Sequence, residues 1–181
     1  MLRPEQDGWK LIRHKMPELV WKRDGRRMMT RPVEGEEHVR YLRWKFDEEA
    51  NEVVAATIRR LAGELADVRQ TLRDFCTLAN IAVGDLRVEP FEKLRERVPK
   101  GPKARVIADL AEALRGHADA FARGNEDADT CIVEEALETV GLLTAAANIR
   151  EDVRMELAWK LEERGGFIPG ILWKVPEKPL S

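Results

Sequence analysis

Lys45-Phe46-Asp47-Glu48-Glu49-Ala50-Asn51-Glu52, answered by Glu64-Leu65-Ala66-Asp67 after a spacer of 11 residues, decides how this chain is read. Both stretches lie where apolar residues recur at helical spacing. Val39, Leu42, Phe46, Val53 and Ala56 make one stripe, and Leu61, Leu65, Val68, Leu72, Phe75 and Ala79 make another. At about 100° per residue, Glu49 falls inside the first stripe, Glu52 lies about 60° to its side, and Glu48 about 40° beyond that. Glu64 sits about 20° off the Phe75 edge of the second stripe, and Asp67 about 60° further out. Two helices thus carry acids, three residues apart, to the rim of a surface that is to be buried.

A lone carboxylate there is costly, because desolvating its charge takes several kcal/mol or forces it to take up a proton. A hard divalent cation removes the cost. Mg2+, with Mn2+ as a possible substitute, prefers carboxylate oxygens supplemented by water and substrate phosphates. The ExxE and ExxD carboxylates together form a candidate cation-binding cluster, the other reading being two solvated helix faces. Two helices can share one ion only if they fold back on each other or meet across subunits. In a continuous helix Glu49 and Glu64 would stand about 22 Å apart, at 1.5 Å per residue.

Composition agrees with a helical fold. The 181 residues suit a single domain over 1–181, with 35% charged residues, 44% apolar ones and few aromatics. The net charge of −2 argues against a nucleic-acid-binding surface. No apolar run is long enough to span a membrane, and the start is not a signal peptide, so a cytoplasmic protein is expected. Cys76 and Cys131 both sit in apolar helical contexts and read as core thiols.

Around the acidic pair, five long helices are expected, over about 36–56, 61–81, 103–123, 130–148 and 151–164. Thr57 is the candidate N-cap of the second. Gly165-Gly166 is a strong stop signal for the last. Residues 1–35 are the least regular part, with a short helix opened by Pro17, a turn at Asp24-Gly25 and one short strand near 28–33. Lys10, Arg13 and Lys15 there are candidates to reach over the acids and bind phosphates. The tail over 167–174 is apolar enough to pack back onto the body. Leu78-Ala79-Asn80-Ile81 is echoed by Ala146-Ala147-Asn148-Ile149 at an offset of 68 residues, so 88–148 reads as an insertion or a degenerate second copy.

The pattern resembles the MazG-type all-α nucleotide pyrophosphohydrolases, whose motif is EExxE followed by ExxD: here Glu48-Glu49-Ala50-Asn51-Glu52 and Glu64-Leu65-Ala66-Asp67. Two further stretches are similar to a subgroup labelled phosphoribosyl-ATP pyrophosphohydrolase-like. Lys10-Leu11-Ile12-Arg13-His14-Lys15-Met16-Pro17-Glu18 is similar to its opening KLVRDKIPE, with His14 in place of the aspartate. Lys160-Leu161-Glu162-Glu163-Arg164-Gly165-Gly166-Phe167 is similar to its closing KxxxRGGF. The likeness covers about 9–86 and 150–170.

The resemblance implies an all-α, MazG-like bundle with an irregular N-terminal segment. It implies a Mg2+-dependent enzyme that cleaves a nucleoside triphosphate between its α and β phosphates, giving a monophosphate and pyrophosphate, in clearance of non-canonical or surplus nucleotides. Glu48 and Glu49 would be catalytic, and Glu49, Glu52, Glu64 and Asp67 would hold the metal. Lys10, Arg13, Lys15, Lys160 and Arg164 would meet the phosphates, and a homodimer or larger homo-oligomer is expected. The alternatives are phosphoribosyl-ATP hydrolysis, or a helical interaction module whose site has decayed. A di-iron bundle would need Glu-x-x-His pairs, and none of His14, His38 and His117 stands three residues after a key glutamate.

Overall fold

The acidic stretches do lie on two antiparallel helices. The structure, a computed structural model, describes residues 8–124 and 129–175. A long helix α2 (Gly35–Ala55) follows the N-terminal strand β1 (Trp9–Ile12), helix α1 (Met16–Asp24) and strand β2 (Thr30–Val33). Helix α3 (Leu61–Leu78) then returns along α2. The turn between them uses the Thr57 backbone carbonyl, which accepts from the N–H groups of Arg60 and Leu61 at 2.9 and 3.0 Å. Arg60, not Thr57, holds the N-cap position, and no side chain caps the helix. The tight hairpin needs neither Gly nor Pro, because Ala56 leaves the helix in an extended conformation.

A 3-10 turn (Val83–Asp85) and the short helix α4 (Phe91–Glu96) lead to a second antiparallel pair, α5 (Lys103–Ala122) and α6 (Asp129–Ala147). α5 lies along α2 and α6 touches α3, so the second pair covers the apolar stripes of the first. The seam is aromatic. Phe121 meets Phe46 and Phe75 edge-on, with ring centroids 5.7 and 4.6 Å away. Arg43 is buried in the same seam, where it pairs with Asp129 and donates to the Phe121 carbonyl at 3.0 Å. Nothing in the local sequence around Arg43 points to that pair.

The two helical pairs repeat in register. The offset from Gly35 to Lys103 and from Leu61 to Asp129 is 68 residues in both cases. At this offset buried residues match buried residues: Leu42 with Leu110, Phe46 with Leu114, Ala50 with Ala118, Leu65 with Val133, Leu72 with Val140 and Phe75 with Leu143. The tetrapeptide echo has a local role as well. Asn80 and Asn148 both take left-handed conformations, and the N–H groups of Ile81 and Ile149 donate to carbonyls five residues back, at 2.8 and 3.1 Å. These are two copies of one helix-ending turn.

Helix α7 (Arg150–Arg164) packs on α3, and strand β3 (Gly170–Lys174) follows it. Where one strand was expected, the fold has a small antiparallel sheet in the order β1-β3-β2, with Leu11 opposite Leu172 and Thr30 opposite Trp173. The expected irregular N-terminal segment is therefore ordered by pairing with the tail, and β1 lies against α2. The architecture is a helical bundle with this sheet at one side. Cys76 is buried, but Cys131 is exposed, with its Sγ 3.7 Å from Glu135, so only one of the two is a core thiol. Among the described residues no helix is long and apolar enough to cross a membrane.

Candidate metal centre

The α2–α3 hairpin brings together one carboxylate oxygen from each of Glu49, Glu64 and Asp67, all within 4.8 Å of one another. Helical spacing explains the placement. Glu49 belongs to the apolar stripe of α2 and is carried into the interface with its neighbours Phe46, Ala50 and Val53. Glu64 and Asp67 stand one turn apart on α3 and face it. Glu49 is 3% exposed. Its Oε2 is buried and, among the described residues, has no hydrogen-bond partner.

That burial dominates the electrostatics. It pushes the Glu49 carboxyl up to about 7; Lys45 pulls it down, and Asp67 and Glu52 add to the rise. Glu64 is raised too, first by burial and then by Glu52 and Asp67, against the opposing pull of Lys160 and Arg60. For Lys45, burial opposes the charge, but Glu49 and Glu48 outweigh it and hold the ammonium above the ordinary lysine range. The two halves of this ion pair differ for a physical reason. Lys45 has two carboxylates within reach, whereas Glu49 has one cation and several like charges.

Cations surround the acids. Arg13 is buried, pairs with Asp67, donates to the Gly165 carbonyl at 2.7 Å and lies over the Phe167 ring at 5.0 Å. Lys160 reaches the other Asp67 oxygen at 2.5 Å and the Gly63 carbonyl at 2.8 Å. Lys10 contacts Glu48 at 2.5 Å, and Lys45 contacts Glu48 at 3.0 Å. Burial raises the Glu48 carboxyl, but Lys45 and Lys10 overcome it and hold it below its ordinary range.

Not every expected residue arrives. Glu52 is exposed and lies outside the three-oxygen group, though near enough to act on Glu49 and Glu64. Lys15 donates to the Glu162 carbonyl at 2.7 Å. Arg164 stacks over the Trp159 ring at 4.8 Å, beside Glu163. Neither contacts the acids. No histidine belongs to the group among the described residues.

Family models, curated proteins and solved structures give no match to the chain.

One neighbour falls outside the residues expected from sequence. Asp74, seven residues beyond Asp67 on the same face of α3, accepts from Gln70 Nε2 and from the Phe167 N–H, both at 2.7 Å. It fixes the Gly165-Gly166-Phe167 turn, which in turn holds Arg13. A third acid at this spacing on an otherwise apolar face is a readable signal, but it lies beyond the two acidic stretches. The second hairpin shows what the same frame looks like with other residues. At the 68-residue offset, His117 and Glu135 take the places of Glu49 and Asp67, and they meet at 3.4 Å. Ile132 stands in the place of Glu64, so Glu135 is the one carboxylate left at these three positions.

Proposed function

We propose that the chain is a Mg2+-dependent nucleoside triphosphate pyrophosphohydrolase of the MazG-like all-α type, producing a nucleoside monophosphate and pyrophosphate and serving to clear non-canonical or surplus nucleotides. One observation carries the reading: a Glu49 oxygen, buried and without a partner, beside carboxylates of Glu64 and Asp67. A buried polar atom left unmatched costs about 1–3 kcal/mol, more if charged, so a cation that completes it is favoured. An all-oxygen donor set suits Mg2+ or Mn2+. One oxygen from each of the three carboxylates lies within 4.8 Å of the other two, so Glu49, Glu64 and Asp67 are the residues that would hold such an ion.

Glu49, Glu64 and Asp67 would hold the ion, with Glu52 at its open side. Bound there, the ion would neutralise phosphate charge and acidify a water. Arg13 and Lys160, fixed by backbone carbonyls, would receive the phosphate chain, with Lys10 at the rim. Glu48, ionised between Lys10 and Lys45, would take the proton of the attacking water. The duplicated hairpin supports the reading by supplying from one chain the cover that a lone hairpin lacks. A cytoplasmic, homo-oligomeric enzyme is part of the proposal.

The test is incubation with a panel of nucleoside and deoxynucleoside triphosphates plus phosphoribosyl-ATP and Mg2+, with products identified. Monophosphate and pyrophosphate, lost in Glu49→Ala, are expected. Hydrolysis of phosphoribosyl-ATP alone would select the narrower substrate. No pyrophosphate from any substrate, with a melting temperature unmoved by Mg2+ and nucleotide, would leave a helical interaction module instead.

A further inference from the structure

Lys45 differs from the other two cations inside the site. It stands one turn before Glu49 on α2, with its Nζ 2.5 Å from Glu49 Oε1 and 3.0 Å from Glu48 Oε1. It is 9% exposed. Among the described residues those two carboxylates are the only groups within ion-pair or hydrogen-bond range of its ammonium, and the Phe167 ring lies 5.8 Å away. Arg13 and Lys160 each keep a backbone carbonyl as well as Asp67. Removing the charge of the acids would leave those two anchored and Lys45 with nothing.

The charge count sharpens the contrast. Glu48, Glu49, Glu64 and Asp67 each already carry a basic partner. A dication added to a neutralised set gains little attraction unless one of the resident cations withdraws. Of the three cations buried at the site, Arg13, Lys45 and Lys160, Lys45 is the one that no backbone carbonyl holds among the described residues, and a lysine carries its ammonium on a flexible four-carbon stem. Glu49 Oε1 is the oxygen it would release, next to the free Oε2.

We propose that Lys45 is an exchangeable counter-ion: it neutralises Glu49 in the ion-free protein, leaves it when a divalent cation binds, and passes its ammonium to the phosphate chain of the nucleotide. The proposal rests on the pyrophosphohydrolase reading and deepens it. Its consequence is coupling. A divalent cation alone binds weakly because it must displace Lys45, and nucleotide strengthens that binding by giving Lys45 a new partner.

The experiment is calorimetric titration of the full chain with Mn2+, alone and with a nucleoside triphosphate whose α,β bridge is a methylene. Lys45→Met is expected to bind Mn2+ alone about tenfold more tightly than the parent and the Mn2+–nucleotide complex about tenfold more weakly, about 1.4 kcal/mol in each direction. Lys160→Met, which removes a tethered cation, is expected to lack the first effect. Equal Mn2+ affinity in parent and Lys45→Met, with both binding the metal, would overturn the exchange and leave the enzyme reading standing. A parent that binds neither Mn2+ nor the analogue would overturn both. If Lys45→Met does not fold, the parent still decides the matter. The Lys45 Nζ resonance, assigned by its loss in Lys45→Arg, is expected to shift on addition of Mg2+, and an unmoved resonance would overturn the proposal.

Discussion

Replacing Glu49 by Gln is expected to remove a large part of the pH dependence of stability in metal-free protein. The Glu49 carboxyl has its pKa raised from 4.5 to about 7, chiefly by burial. Between those values the folded chain holds a proton that the unfolded chain has released, so stability falls as pH rises through this window. At about 1.36 kcal/mol for each pH step of one, the loss from Glu49 between about pH 5 and pH 8 is about 2.5 kcal/mol. Glu49→Gln does not titrate. The variant leaves Lys45 with Glu48 as its carboxylate partner, and that arrangement does not change between the two pH values, because Glu48 is ionised in both and Lys45 stays charged. The informative quantity is therefore the parent-minus-variant difference in unfolding free energy at the two pH values. Urea denaturation in the presence of a chelator measures it. The parent is expected to lose about 2.5 kcal/mol more than the variant. Saturating Mg2+ is expected to restore the parent at pH 8 and leave the variant unchanged. Parallel stability profiles, differing by less than about 0.5 kcal/mol over the range, would refute the reasoning, since they would mean that Glu49 binds its proton equally well in the folded and unfolded chain.

Three further outcomes are expected. Asp67→Asn strips the carboxylate from buried Arg13 and Lys160 together, and urea unfolding should show a loss of about 3 kcal/mol; a loss under about 1 kcal/mol would mean the clamp is not closed in solution. Gly165→Ala forces a side chain onto a residue at φ 74, ψ −174, with its Cβ driven into the His14 ring, and should cost about 2 kcal/mol or more in the same assay. Arg43→Met breaks the buried pair with Asp129 on the seam between the two hairpins. It should cost about 3 kcal/mol while calorimetry shows unchanged Mn2+ affinity, which separates fold from site.

The helical frame was legible because its signals are local. The stripes at Leu42, Phe46 and Val53 and at Leu65, Val68, Leu72 and Phe75 are all buried, and the Gly165 stop ends α7 where expected. The gathering of Glu49, Glu64 and Asp67 follows from wheel positions once the hairpin is granted. Glu52 marks the limit of that geometry: its offset of about 60° is no larger than that of Asp67, yet it is exposed and outside the three-oxygen group, so the wheel angle alone does not separate the two. What sequence did not carry is non-local. β1 pairs with β3 across more than half the chain, and a four-residue strand has too little alternation to announce itself. The Arg13 and Lys160 contacts on Asp67 join three separated elements. Lys15 and Arg164, near neighbours of those two in sequence, point to other partners because the turn at 164–166 and the α7 C-terminus take them up. The four-residue echo at Asn80 and Asn148 was a faint trace of a register that only the full helix boundaries make plain.

Anomalous diffraction from crystals equilibrated with Mn2+ tests the central claim most directly. A peak enclosed by Glu49, Glu64 and Asp67, within bonding distance of Glu49 Oε2, is the result this account predicts. No peak there, with all three carboxylates still paired only to lysine and arginine, would contradict it.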